Sequence, residues 1–471
     1  MPRHLSLAAA TALLASGLSP LALATPATAA AAKYADDFNG DGYRDLALGD
    51  RTATAGGRKE AGAIVVVWGS AQGLKPGERS VVTQNSTGVE GAAEAGDSFG
   101  ADLTTADLNK DGYADIVATS PGEATANGNR GTFTVLWGAR AGISGGSAYA
   151  APAGREVGFA KDVAVGDFDA DGRLDVVAVD DQYIWYLRGP FTTSGSRGKA
   201  TNLDPVDGEN ITPELVVAGK VTKDGTADFA VLGWDWDTDT NRVWFYRGSS
   251  TGPVRPPKKV GLPASGSLAG SAAVIADFDK NGYGDLAVGV SRSGKGGAVH
   301  VLKGTSTGFG ATARSITQDT AGVPGVRESV DDFGYDVSAA DANGDGYPDL
   351  AVGVPGEVIG DHLFRTGAVT VLRGGASGLT GTGARQYDYA TAGVEGDPGE
   401  EDDAWLGSSV LLRDFNRDGR AELAATANEA GRLHLLPGTA SGPTGTGSRL
   451  LTVTDLGLGT GRSYFGAALT D

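Results

Sequence analysis

Hydrophobic positions in this chain fall in short runs of five or six residues, separated by glycine-dense polar stretches. Ala63 to Trp68 (AIVVVW), Thr132 to Trp137 (TFTVLW) and Ala368 to Leu372 (AVTVL) form one type. Asp285 to Gly289 and Asp349 to Gly353, both reading DLAVG, form a second. Runs so short and so rich in β-branched residues predict strands rather than helices. A third type alternates after an aromatic-glycine pair, as in Phe99-Gly100-Ala-Asp-Leu-Thr-Thr-Ala and Phe333-Gly334-Tyr-Asp-Val-Ser-Ala-Ala. A Gly-x-x-x-Gly turn then leads to a weaker fourth strand, at Gly69 to Gly73, Gly138 to Gly142, Gly304 to Gly308, Gly374 to Gly378 and Gly438 to Gly442. The repeating unit is therefore four short strands with tight turns.

Between the alternating strand and the short apolar strand stands an acidic nonapeptide, Asp-x-(Asn/Asp)-x-(Asp/Asn)-Gly-x-x-(Asp/Glu), present six times. Its oxygen-bearing and seventh positions are Asp37, Asn39, Asp41, Tyr43 and Asp45 in the first copy, and Asp107, Asn109, Asp111, Tyr113 and Asp115 in the second. The third has Asp167, Asp169, Asp171, Arg173 and Asp175; the fourth has Asp277, Asp279, Asn281, Tyr283 and Asp285. Asp341, Asn343, Asp345, Tyr347 and Asp349 make the fifth, and Asp414, Asn416, Asp418, Arg420 and Glu422 the sixth. The gap between the third and fourth copies is about twice the others, and a degenerate copy, Lys220 to Asp228, fills it. It keeps Asp224, Gly225 and Asp228 but places Lys220 at the first position. Seven units of about sixty residues predict an all-β fold, a seven-bladed propeller of four-stranded blades.

The first unit starts at its acidic loop and lacks the aromatic-glycine strand, whereas Ser463 to Asp471 supplies such a strand with no loop after it. The segment around Phe465 to Leu469 is thus expected to pair into the N-terminal blade and close the ring, removing open sheet edges. Residues 1–30 read as a secretory signal. Arg3 and His4 precede a run from Leu5 to Leu23, and Ala27-Thr28-Ala29 offers small residues for cleavage at about 29–32. The propeller would then occupy residues 33–471, secreted and extracellular. No second apolar stretch follows, so no membrane span is expected.

Absence of Cys excludes disulfides and thiolate chemistry. The net charge of −19 disfavours nucleic acid and anionic membranes as partners. Much of that excess sits in the nonapeptides, and up to six bound divalent ions, each +2, would offset about twelve of those negative charges.

Alternate oxygen ligands before a turn-forming Gly are what a hard cation such as calcium requires, with the seventh residue offering its carbonyl. An EF-hand would need flanking helices and a Glu at position twelve, and calcium β-rolls repeat their nonapeptides in tandem. Magnesium demands a tighter octahedron. An Asx-rich turn without metal would crowd like charges. In the degenerate unit, the Lys220 ammonium could stand in for the ion and pair with Asp224 and Asp228, or simply be exposed.

The chain resembles the FG-GAP repeats of the integrin α-subunit propeller, also found in exported bacterial proteins. The Phe-Gly pairs are Phe99-Gly100, Phe333-Gly334 and Phe465-Gly466; Thr119 to Gly122 and Gly353 to Gly356 match the Gly-Ala-Pro element. Gly158-Phe159-Ala160 and Trp405-Leu406-Gly407 depart from the pattern. The resemblance implies calcium loops between the first two strands of a blade on one face, and a ligand face opposite.

Other candidate chemistry is sparse, and no catalytic residue is assigned. Gly-x-Ser-x-Gly at Ser98, Ser250 and Ser306 lacks the strand-turn-helix setting of a nucleophile elbow. His300, His362 and His434 are scattered among units and read as strand or surface residues. The run Glu395 to Asp403 and the related segments before Phe99 and Phe333 read as solvated inter-blade loops. Gly233 to Asn241 is the most distinctive nonrepeating segment. There Trp234 and Trp236 would share one side, with Asp235 and Asp237 on the other, suiting a sugar ligand or else core packing. The function expected is an extracellular binding or adhesion module for carbohydrate or protein. A polysaccharide lyase or hydrolase, or a purely structural cell-surface protein, are the alternatives.

Overall fold

The computed structural model describes residues 31–470 apart from 126–129, 153–157, 204–209, 265–267, 269–270, 361–364, 397–403, 459–464 and 467. Residues 1–30, read above as a secretory signal, His362 and most of the acidic run Glu395 to Asp403 lie outside the described residues. Among those described there are 28 strands and no helix. They form seven four-stranded antiparallel sheets, each a consecutive meander except the first. The fold is a seven-bladed β-propeller.

Each blade has an inner strand, such as Leu103–Ala106 or Val337–Ala340, then second, third and outer strands. Inner strands of successive blades touch one another and line a central cavity of about 490 Å³. Asp102, Asp162 and Asp336 face this channel, but each carboxylate accepts a backbone N–H from the next blade. Asp102 takes that of Val163 (3.3 Å), Asp162 that of Val216 (2.7 Å) and Asp336 that of Val410 (2.7 Å). They act as staples between inner strands.

Closure occurs as expected. The strand Ala468–Leu469 is the inner strand of blade 1, pairing Leu48 with Leu469 and Gly49 with Ala468. Phe465, fully buried, packs with Leu46, Leu48, Leu411 and Leu433 between blades 7 and 1.

Because the second and third strands of each blade are buried on both faces, burial is shared between blades rather than gathered in one centre. Seven separate clusters fill the seven inter-blade gaps. The residue after the first loop Asp enters them, as Phe38, Phe168, Phe278 and Phe415 do. So do the aromatics Phe99, Phe159 and Phe333. Each such aromatic also bonds back to the previous blade: Gly62 bridges Phe99 and Gly297 bridges Phe333. Gly367 makes the same bridge to Leu406, so the register equivalent of Phe-Gly in blade 7 is Leu406-Gly407, and Trp405 stands one residue ahead. At Gly62 (φ +87°) a Cβ would lie 2.1 Å from the Phe99 carbonyl oxygen, so only glycine permits this approach.

Candidate metal centres

Five of the nonapeptides connect the inner and second strands of their blades, the first leads into the second strand of blade 1, and their side chains fold the turn around themselves. The first Asp accepts the N–H of the sixth-position Gly in all six copies: Asp37–Gly42 (2.9 Å), Asp107–Gly112 (3.1 Å), Asp167–Gly172 (3.0 Å), Asp277–Gly282 (2.6 Å), Asp341–Gly346 (2.6 Å) and Asp414–Gly419 (3.1 Å). The third-position Asn or Asp accepts the N–H of position five, as Asn39 does from Asp41 (2.8 Å) and Asn109 from Asp111 (2.9 Å). The fifth in turn accepts the N–H of Tyr43, Tyr113, Arg173, Tyr283, Tyr347 or Arg420.

Position nine is the anchor. Asp45, Asp115, Asp175, Asp285 and Asp349 are at most 1% exposed. Each accepts the N–H of the glycine that follows the third strand: Gly69 (2.8 Å), Gly138 (3.0 Å), Gly189 (2.8 Å), Gly304 (2.8 Å) and Gly374 (3.0 Å). The first Gly of the Gly-x-x-x-Gly turn is thereby tied to the acidic loop. Glu422, one methylene longer, accepts the Phe415 N–H as the Asp residues accept its counterparts at Phe38, Leu108, Phe168 and Ala342, but takes the Asn416 amide in place of the turn glycine.

Burial pushes the carboxyls of Asp45 and Asp115 up to about 8 despite those N–H donors. The same cause brings Glu422 to about 7, and Asp175 and Asp285 to about 6. Charged groups so placed require a counter-ion or a proton. The ligand oxygens of Asp167, Asp169 and Asp175 lie within 4.8 Å of one another, as do those of Asp414, Asp418 and Glu422. The buried Asp167 Oδ1 has no hydrogen-bond partner. An all-oxygen set of this density fits a hard cation such as calcium.

One determinant was hidden from sequence reasoning. The residue just before the turn glycine, at the end of the third strand, is basic in four blades and reaches that blade's own loop. Arg188 pairs with Asp169 and with Asp171 (3.5 Å), Lys303 with Asp279 (2.8 Å), and Arg373 with Asp349 (2.9 Å). In blades 1, 2 and 7 the same position holds Trp68, Trp137 and Pro437. The six loops thus divide into three that receive a cation from the third strand and three that do not.

In blade 4 the second of the two readings of Lys220 holds. Lys220 is exposed, and Asp224 takes its ion pair from Arg247 at 2.7 Å. Asp228 is satisfied by Thr222 N–H and hydroxyl and by Gly248 N–H. The cation of the degenerate unit comes from the third strand.

Neighbouring loops are also joined. The fourth-position residue of one loop lies over the seventh-position Tyr of the next: Lys223 over Tyr283 (4.3 Å), Lys280 over Tyr347 (4.8 Å) and Arg417 over Tyr43 (5.5 Å). The last of these crosses the closure between blades 7 and 1.

On the opposite face, Trp234 and Trp236 contact edge-to-face with centroids 6.3 Å apart. Trp236 is 57% exposed and donates its indole N–H to Thr212 (3.0 Å). Asp235 does not face a ligand as its alternation suggested. It is buried, accepts the N–H groups of Asp237 and Thr238, and pairs with Arg242. Asp237 accepts the Asn210 N–H at 3.4 Å. His300 and His434 lie buried in strands, and burial lowers both to about 4.

Residues 99–136, 269–302 and 333–372 each match the FG-GAP repeat family. The propeller carries FG-GAP repeats. The three matches fall on blades 2, 5 and 6, each running from the start of the inner strand to the third strand. The propeller is similar to integrin alpha-5 of Xenopus laevis, 27% identical over 218 residues, which are 42% of this chain and 20% of that one. It is also similar to phosphatidylinositol-glycan-specific phospholipase D of Bos taurus, 35% identical over 114 residues (23% of this chain, 14% of that one). The human phospholipase of the same name is 33% identical over 155 residues, 32% and 17% of the two chains. The matched stretches span no more than about a fifth of these relatives' lengths.

Proposed function

We propose that this FG-GAP propeller is a secreted, calcium-stabilised binding module that engages an extracellular carbohydrate or protein ligand through the face opposite its nonapeptide loops. The observation that carries the reading is Trp236. In a fold that withdraws nearly all large apolar side chains into inter-blade clusters, this indole is 57% exposed, braced edge-on by Trp234 on a hairpin of that face. Its ring is free to stack while its N–H is held by Thr212. Val326, 77% exposed in the blade 5 to blade 6 connection, belongs to the same face. The similarity to an integrin α chain supports an extracellular setting. The acidic loops supply rigidity: at ~1 mM calcium and dissociation constants of ~0.1–1 mM, each ion would contribute about 0.4–1.4 kcal/mol.

The deciding experiment is a glycan-array and pull-down screen in calcium, comparing the wild type with Trp236→Ala. The variant is expected to keep its melting temperature and lose binding. Binding that survives the substitution at full strength discards this face.

A further inference from the structure

Two acidic clusters on the face opposite the nonapeptide loops repeat each other residue for residue. One lies between blades 1 and 2 and contains Gln84, Gly91, Glu94, Asp97 and Glu123. The other lies between blades 5 and 6 and contains Gln318, Gly325, Glu328, Asp331 and Glu357. Every offset within the first set recurs in the second. The inter-blade loops themselves are largely exposed, but several side chains of each cluster turn inward. Asp97 and Asp331 are 2% and 1% exposed, Gln84 and Gln318 are 3% and 4% exposed, and Glu357 is buried with them.

The internal bonding is also duplicated. Gln84 donates its amide to Glu123 (2.5 Å) and Gln318 donates to Glu357 (2.7 Å). Asp97 accepts the Glu94 N–H (2.6 Å) and Asp331 the Glu328 N–H (2.5 Å). In both clusters the glutamine Oε1 is buried without any hydrogen-bond partner, and in the second so is Gln386 Oε1. Gly91 and Gly325 both have left-handed φ. A Cβ on Gly325 would stand among Gln318 Nε2 (2.7 Å), Gln386 Oε1 (3.3 Å) and Glu357 Oε1 (3.3 Å). The glycine therefore keeps open a small cradle bounded by the Gln318 amide nitrogen, the Gln386 amide oxygen and a Glu357 carboxylate oxygen.

We infer that each cluster binds a hard divalent cation, calcium, giving two sites separate from the nonapeptide loops. The donors are oxygens only, which favours calcium over metals that prefer nitrogen or sulfur. A half-turn of the Gln84 or Gln318 amide brings its orphaned Oε1 beside the glutamate oxygen. Only a cation or a proton between two such oxygens makes that arrangement favourable, and calcium–oxygen distances of about 2.3–2.6 Å fit it. Asp97 and Glu123 interact within the cluster, and burial raises both above the ordinary carboxylate range. Burial likewise brings Glu357 to about 7. Glu94 and Glu328 are exposed and complete the open side. The inference does not depend on the nonapeptides or on the ligand face.

Crystals of the wild-type protein soaked in terbium chloride test it directly. Anomalous peaks at both clusters support the proposal; peaks confined to the nonapeptide loops overturn it. Equilibrium dialysis with calcium gives a second measurement. Glu123→Gln and Glu357→Gln should each lose one bound ion and the double variant two, while Asp111→Asn loses one from a nonapeptide loop. An unchanged stoichiometry in a folded double variant means that a shared proton holds the cluster, and the proposal fails. If a variant does not fold, the wild-type map decides alone.

Discussion

Lys303→Met should tighten calcium binding at the loop beginning with Asp277. The Lys303 ammonium lies 2.8 Å from Asp279 Oδ2, an oxygen that a bound ion would hold at about 2.3–2.6 Å. Ammonium and ion would then be roughly 5 Å apart. At the dielectric of water their repulsion is about 2 kcal/mol. The Lys303 side chain is 58% exposed and can swing outward, and salt screens the remainder, so about 1 kcal/mol survives. That corresponds to roughly fivefold tighter binding. The assay is a calcium titration in competition with a chromophoric chelator. Wild-type protein should show a tighter class of sites, from the loops of blades 1, 2 and 7, and a weaker class in which Lys303, Arg188 and Arg373 compete. The substitution should move one ion toward the tighter class, with Lys258→Met as a control for total charge. A superimposable curve, or weaker binding, refutes the idea that these third-strand cations compete with metal.

Phe465→Ala removes a fully buried ring from the closure cluster and should cost about 3–5 kcal/mol, read as a lower denaturant midpoint; a loss below about 1 kcal/mol would mean the seam carries little of the stability. Gly62→Ala forces a Cβ to within 2.1 Å of the Phe99 carbonyl oxygen, so blade 1 should part from blade 2. Faster amide exchange at the Ala61–Phe99 hydrogen bond would report it, and unaltered exchange would count against that stitch. His300 and His434 are depressed to about 4 by burial, so their neutral forms are favoured on folding. Their contribution is complete above the unfolded value near 6.5 and is lost as pH falls from there toward 4, roughly 3 kcal/mol apiece. Acid melts in saturating calcium should flatten over that window on His300→Gln, and an unchanged slope would show that this histidine is not the group responsible.

The period of the chain carried the fold. Strand type, blade number and the closing role of Phe465 follow from local patterns recurring at fixed intervals, and those patterns are what the blades require physically. The nonapeptide likewise announced its own geometry, because its ligands are neighbours in sequence. What escaped was anything contributed across a strand pair. Lys303 is 24 residues from Asp279 and Arg373 is 24 from Asp349; neither position looked special, although a basic residue before the turn glycine recurs in four units. Lys220 drew attention by standing inside the motif, while Arg247 supplied the charge. Asp235 followed the alternation that predicted exposure, but the turn at Asp237 and Thr238 used its oxygens. Asp97 and Asp331 sit in polar segments that composition alone assigns to solvent, and only their partners Glu123 and Glu357, one blade over, show them to be interior.

Pairing of Ala468–Leu469 with blade 1 also alters how the molecule can come apart. In an open stack of repeats a terminal unit is released by breaking one interface, so melting proceeds from the ends. A ring has no terminal unit. Any blade of this protein must give up two apolar interfaces to leave, and on the nonapeptide face the Arg417–Tyr43 contact makes the seam resemble the other junctions. Fraying is thereby replaced by a choice among seven nearly equivalent first breaks, and the weakest junction, rather than the chain terminus, sets the lifetime of the native state.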